Sequence, residues 1–190
     1  MSAPRGEDGT APSAPSALAR LAELLREQGG LMATLVGAEG FFAPGGGQGP
    51  AQIAARGPRA QGRREEYELL VETIYEGYLL HYGAARMLDP PEEDLGLLAG
   101  DRLYALGLAR LVALGDTAAV AELADTITLG ALAQAAGQPA LAGAVWEAGA
   151  RAVGWGSSIA HMHAKRLAFA GAPGAIEAMR TSAAGVPASP

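Results

Sequence analysis

A carboxylate inside an apolar stretch is the first feature of this 190-residue chain that could do chemistry. Residues 97–116 read LLAGDRLYALGLARLVALGD, mostly leucine and alanine, yet Asp101 lies near the start. At about 100° per residue, Asp101 falls in the middle of the helix face that also carries Leu108 and Val112. Because an unpaired buried charge is costly, we predict that Asp101 is buried and bonded to a group on another helix.

The partner of Asp101 should come from the preceding helix and loop, since short connections place neighbouring helices antiparallel and side by side. The candidates there are Tyr75, Tyr78, His81 and Arg86. His81 lies at the end of the earlier helix that should face Asp101. We favour a buried structural hydrogen bond. The alternative is that Asp101, His81 and Arg86 line a pocket or an interface between helices.

The remaining titratable side chains form no recognised catalytic or metal-binding pattern. His161 and His163 are two residues apart, so on a helix they point about 160° apart. The chain has no Glu-x-x-His motif, no Gly-x-Ser-x-Gly motif and no cysteine. Glu68, Glu72 and Glu76 repeat every four residues, which we interpret as a solvated helix face rather than a cation-binding edge. We therefore predict no catalytic residue, no cofactor-binding residue and no metal ligand.

Two further segments could bind phosphate. Arg56, Arg59, Arg63 and Arg64 precede the first long helix, and they could meet a diphosphate or an anionic membrane surface. We interpret them instead as a loosely ordered basic segment. Glycines 45–47 could suggest a phosphate loop, but no Gly-Lys-Ser/Thr follows and no strand precedes them, so a flexible linker is the better interpretation.

The composition restricts the classes of function. The net charge of −6 argues against non-specific nucleic-acid binding, which needs a basic face. No run of about 18 uncharged apolar residues exists, so no transmembrane segment is expected. The first residues lack the apolar region of a signal peptide. With no cysteine and many alanines and glycines, the chain is typical of a cytoplasmic protein from a GC-rich bacterial genome.

The elements that must position these residues are helices. Hydrophobic spacing predicts an all-α bundle of antiparallel helices, with N-caps at Ser16, at Asp116 and at Ser157 or Ser158. The predicted long helices cover residues 16–28, 63–82, 92–114, 117–136, 139–153 and 159–170, and short helices cover 31–36 and 175–180. We expect disordered tails at 1–15 and 181–190, and one domain at 16–180 with a Gly-rich loop at 37–50.

Two ordered motifs resemble the trans-isoprenyl (polyprenyl) diphosphate synthase superfamily. Residues 72–94 read ETIYEGYLLHYGAARMLDPPEED and are similar to the family's ExIHxxSLLHDDxxDxxxxRRG, with Glu72 and residues 79–81 at matching positions. Residues 98–101 then match the LAGD of the family's next helix. The resemblance covers about residues 64–136, and it implies an isoprenoid-synthase-like helical bundle.

The departure from the family is at the metal site. In the family two aspartates follow the LLH motif and hold the Mg²⁺ ions that bind the substrate diphosphate, whereas Tyr82 and Gly83 occupy those positions here. Neither side chain offers the carboxylate oxygens that Mg²⁺ prefers. The family's tandem arginines are also absent, with only Arg86 nearby.

In pattern, the chain is most similar to the small, non-catalytic subunit (component I) of heptaprenyl diphosphate synthase. The shared residues are Leu98–Asp101, Gly115-Asp116, Leu123-Ala124 and Ile127. This resemblance implies a pseudoenzyme, without activity or a cofactor of its own, that joins a catalytic prenyl diphosphate synthase subunit and supports isoprenoid chain elongation. The alternative is a stand-alone homodimeric interaction module, or a protein that binds an apolar ligand such as an isoprenoid.

Overall fold

The described part of the chain is helical throughout. The computed structural model describes residues 15–37 and 49–185, and within them no strand is present beyond one isolated bridge between Val36 and Leu88. The helices are α1 (Ala17–Gln28), α2 (Gly30–Leu35), α3 (Pro50–Arg56), α4 (Arg64–Tyr82), α5 (Glu93–Ala113), α6 (Thr117–Ala135), α7 (Pro139–Trp155), α8 (Ile159–Phe169) and α9 (Ala175–Ala184). The predicted all-α class is therefore confirmed.

Local sequence signals set several helix ends. Ser16, Asp116 and Ser158 each accept a hydrogen bond from the backbone N–H three residues later, as N-caps do. Gly115 and Gly137 adopt positive φ angles of 77° and 68° after α5 and α6. Such a conformation is easiest for glycine, so it ends a helix cleanly.

The segment before α4 differs from the prediction. Helix α3 (Pro50–Arg56) begins at the last residue of the predicted loop and ends at the first arginine of the basic segment. A 3₁₀ turn at Pro58–Ala60 follows. The Arg59 side chain holds this turn, donating to the Val153 carbonyl at 3.1 Å and to the Asp116 carboxylate at 2.7 Å. The prediction of a loosely ordered basic segment was wrong, because contacts distant in sequence fix it.

The ends of the predicted domain are only partly visible. Residues 1–14, 38–48 and 186–190 lie outside the described residues, and with them nearly all of the predicted N-terminal tail, half of the predicted C-terminal tail and most of the predicted Gly-rich loop. At the C-terminal end, α9 continues to Ala184, four residues beyond the predicted end of the domain at residue 180.

Two apolar cores are built around different helices. The larger one surrounds α7, where Trp146 is only 2% exposed and its ring lies 4.9 Å from that of Tyr75 and 5.0 Å from that of Tyr78. The smaller core joins α1 and α2 to one side of α5 through residues that include Leu21 and Leu103. Helix α7 is thus central, and α5 lies at the side of the molecule.

Glycines decide how α5 meets α4. A Cβ on Gly100 would lie 2.7 Å from the ring of His81, and one on Gly107 would collide with Ile74. The backbone of Gly77 on α4 is similarly close to Gly100. The two helices therefore pack antiparallel through small residues, and the leucine-rich face of α5 points away from α4.

None of the helices in the described residues combines the length and the apolar character needed to cross a membrane.

Candidate functional site

The leucine-rich side of α5 is exposed, and it is the candidate site. Leu98 is 66% exposed and Val112 57% exposed, and Leu97 is also exposed. Ala105 and Ala109 are exposed between them. We call these five residues the outer face of α5. The predicted apolar face around Asp101 exists, but no described residue covers it.

Asp101 lies in the middle of this face, and its side chain is 70% exposed. The predicted burial of Asp101 was therefore wrong. Its Oδ1 lies 3.2 Å from Nε2 of His81, although the contact lacks the angle of a hydrogen bond. The contact becomes an ion pair when the imidazole is protonated. The structure thus brings Asp101 and His81 together at the surface rather than inside the bundle.

His81 is held in place by its other neighbours. Its ring stacks on that of Tyr104, with centroids 5.4 Å apart and planes 3° from parallel, and it covers Gly100. The side chain is mostly buried. His81 therefore fills the contact between α4 and α5 and presents one edge to the rim where Asp101 lies.

Arg86 does not reach Asp101, because two buried carboxylates of α4 bind it. Its guanidinium lies 2.5 Å from Glu72 Oε1 and 3.1 Å from Glu76 Oε2. Glu76 Oε1 also accepts the backbone N–H groups of Arg86 and Met87, at 2.7 and 2.8 Å. We call Glu72, Glu76 and Arg86 the Arg86 clamp. It anchors the loop between α4 and α5.

The clamp corrects the prediction of a solvated glutamate face, since Glu72 and Glu76 are both buried. Burial raises the pKa of Glu72 above its ordinary value by more than the charge of Arg86 lowers it. The guanidinium of Arg86 also lies over the ring of Tyr75, 5.1 Å from its centroid. Because Arg86 already binds both carboxylates, the clamp is built to hold a loop rather than a metal ion.

A second polar cluster, which the sequence did not predict, links three helices on the other side of α7. Glu122 of α6 lies 2.6 Å from Nε2 of His161 on α8, and Lys165 donates to Glu122 at 3.1 Å and to Asp125 at 2.8 Å. Nδ1 of His161 lies 3.2 Å from Oγ of Ser182 on α9. We call these five residues the Glu122 cluster.

The electrostatics of the Glu122 cluster favour an ionised carboxylate. Burial alone would raise the pKa of Glu122, but the hydrogen bond and charge of His161, and then those of Lys165, outweigh it and hold the pKa below its ordinary value of 4.5. The same carboxylates raise the pKa of Lys165 against its own desolvation. In a network of this kind, the attraction between the charged groups offsets the cost of removing them from water.

The row Ser182–His161–Glu122 has the order of a hydrolase triad, but its hydrogen bonds differ from one. The Ser182 hydroxyl donates its single hydrogen to the Met179 carbonyl at 2.8 Å, so that hydrogen is directed away from Nδ1 of His161. An activated nucleophile needs the opposite direction. The cluster therefore cross-links α6, α8 and α9. The residues lie about 40 positions apart in sequence, so no local pattern could have revealed them.

Within the described residues, no group of three or more histidine, aspartate or glutamate side chains is arranged to hold a metal ion. Comparison with known proteins gives no family: no family model, no curated protein and no solved structure matches this chain. The function must therefore be argued from the geometry and from the resemblance of residues 64–136.

Proposed function

We propose that this chain is a non-catalytic, isoprenyl-diphosphate-synthase-like subunit of the cytoplasm that docks the outer face of α5 on a catalytic polyprenyl diphosphate synthase. The observation that carries the proposal is the exposure of that face, with Leu98 and Val112 the largest contributors. Contiguous exposed apolar surface marks interaction sites. The LAGD residues 98–101, on which the resemblance to the small subunit depends, lie on this same helix.

The shape of the face suits a partner helix. Helix α5 has 21 residues and so extends about 30 Å. Exposed Ala105 and Ala109 lie between the larger residues, and small side chains at such positions let a second helix approach closely. Complete burial of Leu98 or Val112 by a partner would each contribute roughly 1.5–3 kcal/mol. Two or three such anchors are enough to dominate a helical interface.

The residues at the family's metal site support a non-catalytic role. Tyr82 and Gly83 stand at the end of α4 where catalytic members carry the aspartate pair. The carboxylates of Glu72 and Glu76, on the same helix, are already bound by Arg86. The end of α4 therefore presents no aspartate pair that could hold Mg²⁺ for ionising a diphosphate.

Co-expression with the polyprenyl diphosphate synthase of the same genome tests the proposal. We expect a complex on affinity purification, Mg²⁺-dependent prenyl transfer by the complex, and none by the isolated chain. Leu98→Glu and Val112→Glu should each weaken the complex at least about tenfold, because a charge would be buried at the interface. Ile159→Glu is the matched control, since Ile159 is 81% exposed on α8, away from this face.

Three results would contradict the proposal. Robust prenyl transfer by the isolated chain would refute the non-catalytic role. Equal binding by the Leu98→Glu and Ile159→Glu variants would refute the docking face. A homodimer of the isolated chain that Leu98→Glu dissociates, together with no binding to the synthase, would establish the stand-alone interaction module instead.

A further inference from the structure

A cleft on the side of the molecule away from α5 gathers three arginines from three helices. It lies between α3, α7 and α9, has a volume of about 500 Å³, and is lined by Arg56, Arg151, Arg180 and Trp155. We call these four residues the arginine cleft. Like charges repel, so three cations lining one cleft disfavour one another until an anion enters it.

Compensation does not come from the described part of this chain. Within residues 15–37 and 49–185, none of the three arginines of the cleft lies within ion-pair distance of a carboxylate, and Glu147, which also lines the cleft, stays beyond that distance. Four other cations of the described residues are paired with a carboxylate, and these are Arg20, Arg59, Arg86 and Lys165.

Arg151 is held in a fixed orientation. Its guanidinium lies over the indole of Trp155, 4.4 Å from the ring centroid. Gly185 also packs against it, since a Cβ atom at that position would collide with the guanidinium. Stacking occupies the flat faces of a guanidinium and leaves its N–H edge free to form paired hydrogen bonds to an oxyanion. Arg151 therefore has the preorganisation of a recognition residue.

The backbone around the cleft is equally constrained. A Cβ on Gly57, directly after Arg56, would collide with the backbone of Gly154, and a Cβ on Gly154 would collide with the carbonyl oxygen of Ala54. Arg59 adds its 3.1 Å hydrogen bond to the Val153 carbonyl. The end of α3 is thereby fixed on the last turn of α7, which keeps Arg56 and Arg151 on the walls of one cleft.

From this geometry we infer that the arginine cleft is a binding site for a phosphate-class oxyanion, with Trp155 contacting the remainder of the ligand. Three guanidinium groups match a phosphate or diphosphate better than a single carboxylate, because they can share several oxygens and more than one negative charge. The phosphate can belong to a soluble compound or to a lipid headgroup. The site is separate from the outer face of α5 and does not depend on the proposed function.

Titration with inorganic phosphate and inorganic diphosphate, followed by calorimetry and by tryptophan fluorescence, tests the inference. We expect saturable binding, tighter for diphosphate. Arg151→Gln and Arg180→Gln should each reduce the affinity at least about tenfold, the loss expected for a hydrogen bond to a charged group. Arg166→Gln, at an exposed position on α8, changes the net charge equally and should leave the affinity unchanged. Trp155→Phe should abolish the fluorescence change, which assigns that signal to the cleft.

A second arm separates the two sources of phosphate. The full chain is sedimented with phosphatidylcholine vesicles, with and without phosphatidic acid. Binding that needs phosphatidic acid and is lost in Arg151→Gln but kept in Arg166→Gln identifies a lipid headgroup. Diphosphate binding without vesicle binding identifies a soluble ligand.

Two outcomes overturn the inference. One is no binding to either anion or to the acidic vesicles by the parent protein. The other is an equal loss in Arg151→Gln and Arg166→Gln, which would mean that net charge alone attracts the anion. Circular dichroism of each variant shows that its helices are intact. The Leu98→Glu variant should bind the anion normally, so failure of the proposed function and failure of this inference are distinguishable.

Discussion

Helices α5 and α7 are both rich in alanine, glycine and large apolar residues, yet the fold treats them differently. Eleven of the 17 residues of α7 are buried, against six of the 21 residues of α5. Helix α7 is surrounded by α3, α6 and α9, whereas α5 packs against α4 on one side and leaves Leu98 and Val112 exposed.

The position of small residues explains the difference. On α5 the glycines lie together on one face, where Gly100 and Gly107 contact α4 so closely that no Cβ would fit. On α7 the close approaches are spread around the helix, with Gly149 against Thr126 and Gly154 against α3. Apolar residues show that burial of a helix face is favourable, but the small residues decide which face packs against another helix of the same chain.

The largest effect that tests this comparison is expected in α7. Trp146→Ala should destabilise the protein by about 3–5 kcal/mol, because it leaves a cavity beside Tyr75 and Tyr78 at the centre of the larger core. Urea denaturation of the variant and the parent measures the difference. A loss of less than about 1 kcal/mol would mean that α7 is not the centre of the core.

Two glycine substitutions test the role of close packing. Gly107→Ala should cost about 1–3 kcal/mol, because the new methyl group meets Ile74. Gly143→Ala, in α7 with nothing within 4 Å of its Cβ position, should instead stabilise by roughly 0.5–1 kcal/mol. Thermal melts of both variants check the signs. Equal effects would show that the glycine face of α5 does not set its orientation.

The polar groups near the two helices should respond to pH with opposite signs. The lowered pKa of Glu122 means that its contribution to stability is complete above pH 4.5 and is lost as the pH falls through the folded-state pKa. The raised pKa of Glu72 means that its ionisation costs stability as the pH rises above 4.5 toward the folded-state pKa.

Glu122→Gln should therefore destabilise by about 1–3 kcal/mol at neutral pH and flatten the loss of stability below pH 4.5. Glu72→Gln should flatten the profile above pH 4.5 instead. Urea denaturation at a series of pH values gives both profiles. If Glu122→Gln keeps the parent's profile below pH 4.5, or Glu72→Gln keeps it above pH 4.5, the assigned pKa direction is wrong for that residue.

The smallest effect is expected on the outer face of α5. Leu98→Ala should change the stability of the isolated chain by no more than about 0.5 kcal/mol, because the side chain is 66% exposed. The same variant should lower affinity for a partner. A large loss of stability in the isolated, monomeric chain would show that this chain covers the face itself, and the comparison with α7 would fail.

The helix ends could be predicted because their causes are local. Ser16, Asp116 and Ser158 cap helices through backbone groups three residues away, and Gly115 and Gly137 end helices by their own conformation. Helix α3 was missed because its short sequence carries few such signals, and it is held by contacts with α4 and α7 that are distant in the chain.

The candidate site could be predicted only in part. Helical spacing correctly placed Asp101 on the face that carries Val112, and the antiparallel packing of neighbouring helices brought His81 into consideration as a neighbour. The prediction that this face is buried was wrong, since helical spacing shows which residues share a face and not whether another helix packs against it. The prediction that Arg86 could be the partner of Asp101 was also wrong. The carboxylates that bind Arg86 are those of Glu72 and Glu76, which had been interpreted as part of a solvated helix face.

The sequence by itself determined the all-α class, the caps, and the composition of each helix face, because these depend on residues within one or two turns of each other. The tertiary structure decided which faces are covered, that Glu72 and Glu76 are buried with Arg86, and that Glu122 meets His161 and Lys165 across helices. The physical reason is that burial and charge pairing depend on the distance between elements, which the close approach of glycines and the packing of side chains fix only when the whole chain is folded.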